Sequence, residues 1–341
     1  MKAKLNSILV LVIGGLLAFW FVRRLDWTEV WNHLRGASLW PLLLAVLLIM
    51  LTLVARTLRW QAFLAPIARV SLGHTFAATS IGFGSVFIFG RAGEIVRPLV
   101  LSARENVPPT ATIATIVIER IFDMTTVAMM FSVNLLFFTI PSDSIDASTL
   151  ATLNRVGVVM TATVVVAIVT LVLFRLRSKA AIGLLEKALK WLPKRIREMV
   201  INLVSHLAEG LSVLLDLREL LLAALYTVIV WAFVTGATWL VAYAFHIPLS
   251  FSAVLFVLGF GLVGSLVPTP GGSAGAFNAA AAAGLIVLGI DRNLAGSFSI
   301  VLHFVAFGPP FILALFFIIR DGIGIGRLRE MMITKRQEVS G

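Results

Sequence analysis

From Leu220 to Phe245 the chain runs 26 residues without a charged side chain, and Leu294–Ile319 runs another 26. As helix each run is about 39 Å long, more than the roughly 30 Å hydrocarbon core of a bilayer. In lipid every backbone N–H and C=O must find a partner within the protein, so such a run is helical. Hydrophobic residues make up 59% of the 341, against about 45–50% in soluble domains, and mean hydropathy is +1.00. The expectation is an all-α polytopic membrane protein forming a single domain over residues 1–341.

The formal charge of +11 is read as basic cytoplasmic loops. No basic cluster is interleaved with stacking aromatics, so no nucleic-acid partner is expected. With no Cys, disulfides, thiolate chemistry and Cys-ligated zinc are excluded. The five His lack metal-ligand spacing, so neither a metal nor another cofactor is expected.

In chain order, Asn6–Val22 is the first expected span, ended by Arg23 and Arg24 without a cleavage site. Asp26–Gly36 places Trp27, Val30, Trp31 and Leu34 at helical spacing, an amphipathic helix at the interface. Leu39–Val54 is the second span, followed by Arg56, Arg59 and Arg69 in a loop. Phe76–Phe89 and Gly93–Ala103 are too short to cross singly and read as a re-entrant hairpin (about 73–105) broken at Gly90–Gly93. Pro108–Pro109 open the third span, which runs to Ile140. Val156–Phe174 is the fourth, and residues 175–218 are cytoplasmic amphipathic helices broken at Pro193. Leu220–Phe245 is the fifth. Phe251–Val267 and Ala274–Leu288 form a second hairpin (about 250–290), and Leu294–Ile319 is the sixth span, kinked at Pro309–Pro310.

Charge sets the orientation. The 56–69 loop, the 175–218 block and the tail are basic and therefore cytoplasmic; 141–154 and 247–250 are external. Both termini are then cytoplasmic. The first hairpin enters from the cytoplasm and the second from outside, each followed by a long span. Six full transmembrane helices and two re-entrant hairpins thus form an inverted repeat, an arrangement that lets a transporter open a central site to either side. Gly82-Phe83-Gly84 and Gly259-Phe260-Gly261 mark equivalent points of the two halves.

Charges sunk among apolar runs are expensive and mark interiors or watery cavities. Arg91, Glu94 and Arg97 form a stripe at i, i+3, i+6, with Glu94 placed to pair both arginines. The stripe suits a lipid phosphate held by forked donors, or a salt-bridge ladder pinning the hairpin. Glu119 and Asp123 share a helix face, and Arg120 reaches Asp123 at i+3. The carboxylates serve either as counter-charges for Arg91 and Arg97 or as a proton-carrying pair. Pro268, Pro270, Gly271 and Gly272 break the second hairpin, with Ser273 expected as N-cap of its return helix. Asn278 is expected to hydrogen-bond between helices, and His303 to make an interhelical bond rather than to relay protons.

At these motifs the sequence resembles a known family. GRAGEIVRPLVL, then IERIFD, then PTPGGSAG are similar to the membrane domain of lysylphosphatidylglycerol synthase, over nearly the whole chain. The same domain occurs alone in bacterial and archaeal flippase-like proteins. The resemblance implies movement of a lipid between leaflets of the cytoplasmic membrane. Many members have Pro before the Arg-x-Gly-Glu motif, where Phe89-Gly90 stands here, and many have Glu or His near Asn278. The synthase also carries a soluble aminoacyl-transferase domain; this sequence ends at Gly341 without one, so no enzyme activity is expected.

The leading expectation is a lipid flippase acting on an anionic, aminoacylated or polyprenyl-linked lipid. Two alternatives stand beside it: a non-transporting partner of a lipid-modifying enzyme, and a membrane enzyme using Glu119 and Asp123 on lipid-linked substrates. A homo-oligomer is left open. The orientation is directly checkable because the chain has no native Cys. A Cys placed at Ser144 is expected to react with an impermeant maleimide in intact cells; labelling only after permeabilisation would invert the topology.

Overall fold

The computed structural model describes residues 21–137, 217–267 and 269–322 continuously, with isolated positions at 15, 16 and 19 and between 151 and 205. The expected first and fourth spans, the 141–154 loop, the basic 175–218 block and the end of the third span beyond Phe137 therefore lie largely or wholly outside the described residues. So do Pro268 and the side chains of Arg91 and Pro270. The described elements are all helical. They are α1 (Trp27–Gly36), α2 (Leu39–Leu64), α3 (Leu72–Phe89), a 3₁₀ turn (Gly90–Ile95), α4 (Val96–Glu105), α5 (Pro109–Phe137), α6 (Leu217–Ala244), α7 (Phe251–Gly264), a turn at Pro270–Ser273, α8 (Ala276–Val287) and α9 (Arg292–Arg320). Among them α2, α6 and α9 are long and apolar enough to cross a membrane.

The surface of α2 has the polarity of a lipid-facing helix. Trp40, Leu43, Leu47, Leu51 and Val54 recur every three to four residues and are exposed. The opposite face buries Ala45, Ile49, Thr52, Ala55 and Arg59. In water so large an exposed apolar stripe would be a liability; against acyl chains it is the expected outside of a multi-pass membrane protein. The span expected to end at Val54 continues to Leu64. Arg56 and Arg59 are therefore helical and inward-facing, not part of a loop. The first residue able to stop the helix is Pro66.

Two helical hairpins occupy the middle of the bundle. In the first, α3 runs in and α4 returns. The Glu105 carboxylate at the end of α4 accepts from the Ser71 backbone N–H at the start of α3 (3.0 Å) and pairs with His74 Nδ1 (2.6 Å). The break between them is Gly90, at φ 58 and ψ −154, a region essentially confined to glycine. Proline, locked near φ −65°, cannot take this path. The return helix begins at Val96 after a 3₁₀ turn, three residues later than the expected Gly93. In the second hairpin, α7 ends at Gly264 and α8 begins at Ala276. Gly271 (φ 74), Gly272 (φ 64) and Ser273 (φ 64) are all left-handed. Ser273 is thus part of the turn and donates from Oγ to the Ser265 carbonyl (3.1 Å), whereas Gly275 stands at the N-cap.

Close approach explains the repeated Gly-Phe-Gly. A Cβ at Gly82 would sit 2.4 Å from the Arg97 Cβ on α4, and one at Gly84 would sit 2.2 Å from the Ala314 Cβ on α9. In the second hairpin a Cβ at Gly261 would meet the Phe277 ring of α8 at 3.2 Å, and one at Gly259 the Phe131 ring of α5 at 2.5 Å. Each triplet admits its own return helix and the long helix that follows the other hairpin. The Pro270–Ser273 turn packs against α3 and the Gly90–Ile95 turn, so the two chain breaks are neighbours.

Opposite ends of the bundle are tied separately. At one, the Ser38 N–H donates to the Ala244 carbonyl (2.9 Å), joining the start of α2 to the end of α6. There too the Asp26 N–H, at the N-cap of α1, donates to Asn293 Oδ1 on α9 (3.0 Å). At the other end Arg104 of α4 pairs with Asp321 after α9. The start of α9 is capped by Asp291, whose carboxylate accepts from the Asn293 (2.8 Å) and Leu294 (3.0 Å) N–H groups. Hydrogen bonds from the Leu294 and Asn293 backbone outweigh partial burial and hold this carboxyl below its usual range. A depressed folded pKa means stabilisation that is present above the unfolded value of about 3.9 and lost as pH falls through the folded one. Asp291→Ala is expected to cost about 1 kcal/mol at neutral pH. The difference between wild type and variant should narrow below about pH 4, measured by thermal unfolding in detergent.

Candidate functional site

The charged side chains of α5 are buried in the bundle, where isolated ions would be untenable. Glu119 is 0% exposed and accepts from three arginines on three elements. Arg97 of α4 donates from Nη1 to both Glu119 oxygens (2.9 and 2.8 Å). Arg59 of α2 and Arg120 of α5 donate from Nη2 to Glu119 Oε1, each at 2.8 Å. Asp123, one turn on, accepts from Arg59 Nη1 at 2.6 Å and Nη2 at 3.1 Å. It also pairs with Arg120 at 3.0 Å and lies 3.9 Å from Arg56 Nη1. The Thr227 hydroxyl of α6 accepts from Arg59 Nη1 at 3.3 Å.

Aromatic faces complete the setting. The Arg97 guanidinium lies 3.9 Å from the Trp60 ring centre, and Arg56 lies 4.6 Å from that of Phe83. Trp60 is itself held by Nε1 donating to Thr115 Oγ1 (2.9 Å). Cation–π attraction at such desolvated sites is worth about 2 kcal/mol.

The spacing predicts that Glu94 pairs Arg91 and Arg97; Glu94 also lies 3.7 Å from Arg120 Nε, because the 3₁₀ turn carries it toward α5. Arg91 lies in the same turn, its side chain outside the described residues. Among the described residues the cluster holds four arginines (Arg56, Arg59, Arg97, Arg120) against three carboxylates (Glu94, Glu119, Asp123). Several guanidinium N–H groups are buried without an acceptor: Nε and Nη2 of Arg97, Nε of Arg59 and Nε of Arg120. A pocket with room on the order of one water molecule opens beside them, lined by Gly82, Phe83, Glu94, Arg97, Ile116 and Arg120.

Asn278 and His303 make their contacts outside this cluster. Asn278 donates from Nδ2 to the Ser299 carbonyl of α9 (3.0 Å) and accepts from the Gly275 N–H (3.3 Å), the interhelical role expected of it. His303 is 5% exposed, lies among the rings of Phe87, Phe277 and Phe307 and reaches the Gly271 backbone. Its Nδ1 has no partner among the described residues. Gly272 gives way to Phe307, whose ring would stand 2.8 Å from a Cβ there. Together these contacts seat the second break against α9.

Arg56 and Arg59 belong to the site and were read as loop residues. The signal was present: Leu53, Arg56, Trp60, Phe63 and Leu64 continue the three-to-four residue spacing without a Gly or Pro. Glu119 and Asp123, far along the sequence, supply the counter-charge that lets a helix bury them.

The family model described as Lysylphosphatidylglycerol synthase TM region matches residues 7–314. No curated protein matches the chain.

Glu119→Gln removes one counter-charge shared by three arginines. It is expected to cost about 3–5 kcal/mol, the range for breaking a buried ion pair. Because Arg59 and Glu119 touch, the Arg59→Gln/Glu119→Gln pair should lose markedly less than the sum of the single variants. Denaturant titration in detergent measures both; strict additivity would mean that the pair is not energetically coupled.

Proposed function

The chain belongs to the lysylphosphatidylglycerol synthase TM region family, and from that premise we propose that it is a lipid flippase carrying an anionic lipid between membrane leaflets. The observation that carries the reading is the set of guanidinium N–H groups on Arg97, Arg59 and Arg120 that are buried without an acceptor among the described residues. A phosphate presents several oxygens and suits forked arginine donors better than any neutral ligand does.

The transport architecture in this reading is six spans with two re-entrant hairpins in an inverted repeat, both termini cytoplasmic. Three features support it. The ends of the two hairpins belong to opposite ends of the bundle, as the Arg104–Asp321 pair on one side and the Ser38–Ala244 bond with α7 following on the other imply. Their tips touch. Their Gly-Phe-Gly triplets exchange long-helix partners.

The pocket beside Arg97 is too small for a phosphate as it stands, so in this reading binding requires the helices around it to part. Glu119 and Asp123 act as stand-ins for the lipid phosphate. When lipid enters, its phosphate takes over Arg97 and Arg120; when it leaves, the carboxylates reclaim them. Neither state then strands a buried charge, which would be costly.

The test is leaflet exchange of fluorescent phosphatidylglycerol in liposomes of the purified protein. Wild type is expected to exchange it above protein-free vesicles, and Arg97→Gln to slow exchange by about tenfold or more, the loss of a charge-assisted pair. Asp123→Asn, which weakens the competitor, should bind the lipid more tightly and release it more slowly. Equal exchange by wild type and a folded Arg97→Gln variant would defeat the reading.

A further inference from the structure

Among the described residues, Arg97 is the arginine of the cluster with a complete fork buried and unpaired. Its Nη1 serves both Glu119 oxygens (2.9 and 2.8 Å), while Nε and Nη2 are buried without an acceptor. Those two groups share one edge of the planar guanidinium and point the same way, the pair that grips two oxygens of one anion. Arg59 and Arg120 leave only Nε so buried and unpaired. Glu119 does not by itself aim the free edge, because contact through Nη1 alone lets the guanidinium plane tilt about the line between the two side chains.

Aromatic surfaces remove that freedom. The Arg97 guanidinium carbon lies 3.9 Å from the ring centre of Trp60 on α2 and 5.7 Å from that of Phe83 on α3. An indole this close shuts one face of the guanidinium to oxygen atoms and leaves approach in the plane, along the Nε–Nη2 edge. Trp60 is pinned in turn. It is fully buried, and its Nε1 donates to Thr115 Oγ1 (2.9 Å), whose hydroxyl donates to the Thr112 carbonyl (2.8 Å). The Thr112 hydroxyl donates to the carbonyl of Pro98, the residue after Arg97 (3.1 Å). One turn of α5 thus holds both the ring and the backbone that carries Arg97.

We infer that Trp60 is a positioning residue for phosphate binding, acting through Arg97: it holds the guanidinium plane so that the free Nε–Nη2 edge faces the pocket lined by Gly82, Phe83 and Glu94, and Thr115 sets the ring. The inference rests on the flippase reading and deepens it, because the fork is aimed before any lipid arrives. An arginine already ordered spares binding the cost of immobilising a long side chain.

The test titrates fluorescent phosphatidylglycerol into the full chain purified in detergent, with the dissociation constant read by anisotropy. Trp60→Leu removes the ring and is expected to weaken binding about two- to tenfold, the cost of ordering one freed arginine. Trp60→Phe and Thr115→Val each break the indole hydrogen bond while keeping a packed side chain. Both should weaken binding in the same direction, and the two combined no more than the stronger alone, since the same bond is lost. In an Arg97→Gln background none of the three changes should weaken binding further. A role confined to packing would lower thermal stability and leave the dissociation constant at its wild-type value, or weaken binding equally with and without Arg97. Either result overturns this inference while the loss caused by Arg97→Gln still stands. Should Trp60→Leu not fold, Trp60→Phe and Thr115→Val decide between these outcomes. Binding that is indifferent to Arg97→Gln alone instead overturns the phosphate reading beneath it.

Discussion

One carboxylate holds the centre of this structure together. Glu119, with 0% of its surface exposed, gathers arginines from α2, α4 and α5. The need for that gathering follows from desolvation: each of these charges alone would be too costly inside the bundle, so none can be buried until the others are in place. The short α4, ten residues with a proline among them, has little helical stability of its own. Arg97, clamped by Glu119 and lying against Trp60, is what fastens it. The seating of α4 and the inward turn of α2 both depend on this one set of ion pairs.

The electrostatics and the packing divide the work between the two hairpins. The first brings charge: its return helix carries Arg97, and the turn before it carries Glu94 and Arg91. The second brings shape. Its left-handed Gly271–Gly272 turn fits under the Phe307 ring, and Asn278 ties the return helix to the Ser299 carbonyl of α9. Where the tips meet, the molecule has an ionic half and an aromatic half side by side. In the proposed reading, the ionic half handles the lipid headgroup while the seam between hairpin tips and long helices supplies the moving parts.

Much of this was legible from residue order. The long uncharged runs required helices in lipid because no other structure satisfies the backbone there. The paired Gly-Phe-Gly and the Gly/Pro breaks marked both hairpins, and the expected Glu119–Arg97 and Arg120–Asp123 pairings are present. The stop of α2 was misplaced because Arg56 and Arg59 were weighed as isolated charges, which end a span, rather than as halves of ion pairs, which do not. Spacing along one helix says which residues can share a face, but it does not show that the 3₁₀ turn also brings Glu94 to 3.7 Å from Arg120 of α5. Serine favours the N-cap, yet three successive left-handed residues, Ser273 among them, postpone the helix to Ala276.

The sequence by itself determined the membrane class, the helical content and the places where helices must break, because these depend on local hydropathy and on backbone freedom that individual residues carry with them. The tertiary structure alone decided which charges cancel which. Arg59 and Glu119 are 60 residues apart, and Asn278 meets the Ser299 carbonyl only across the boundary between α8 and α9. Burial of a charge or a lone N–H is a property of the whole assembly: its energy is set by distances to atoms that no local pattern contains.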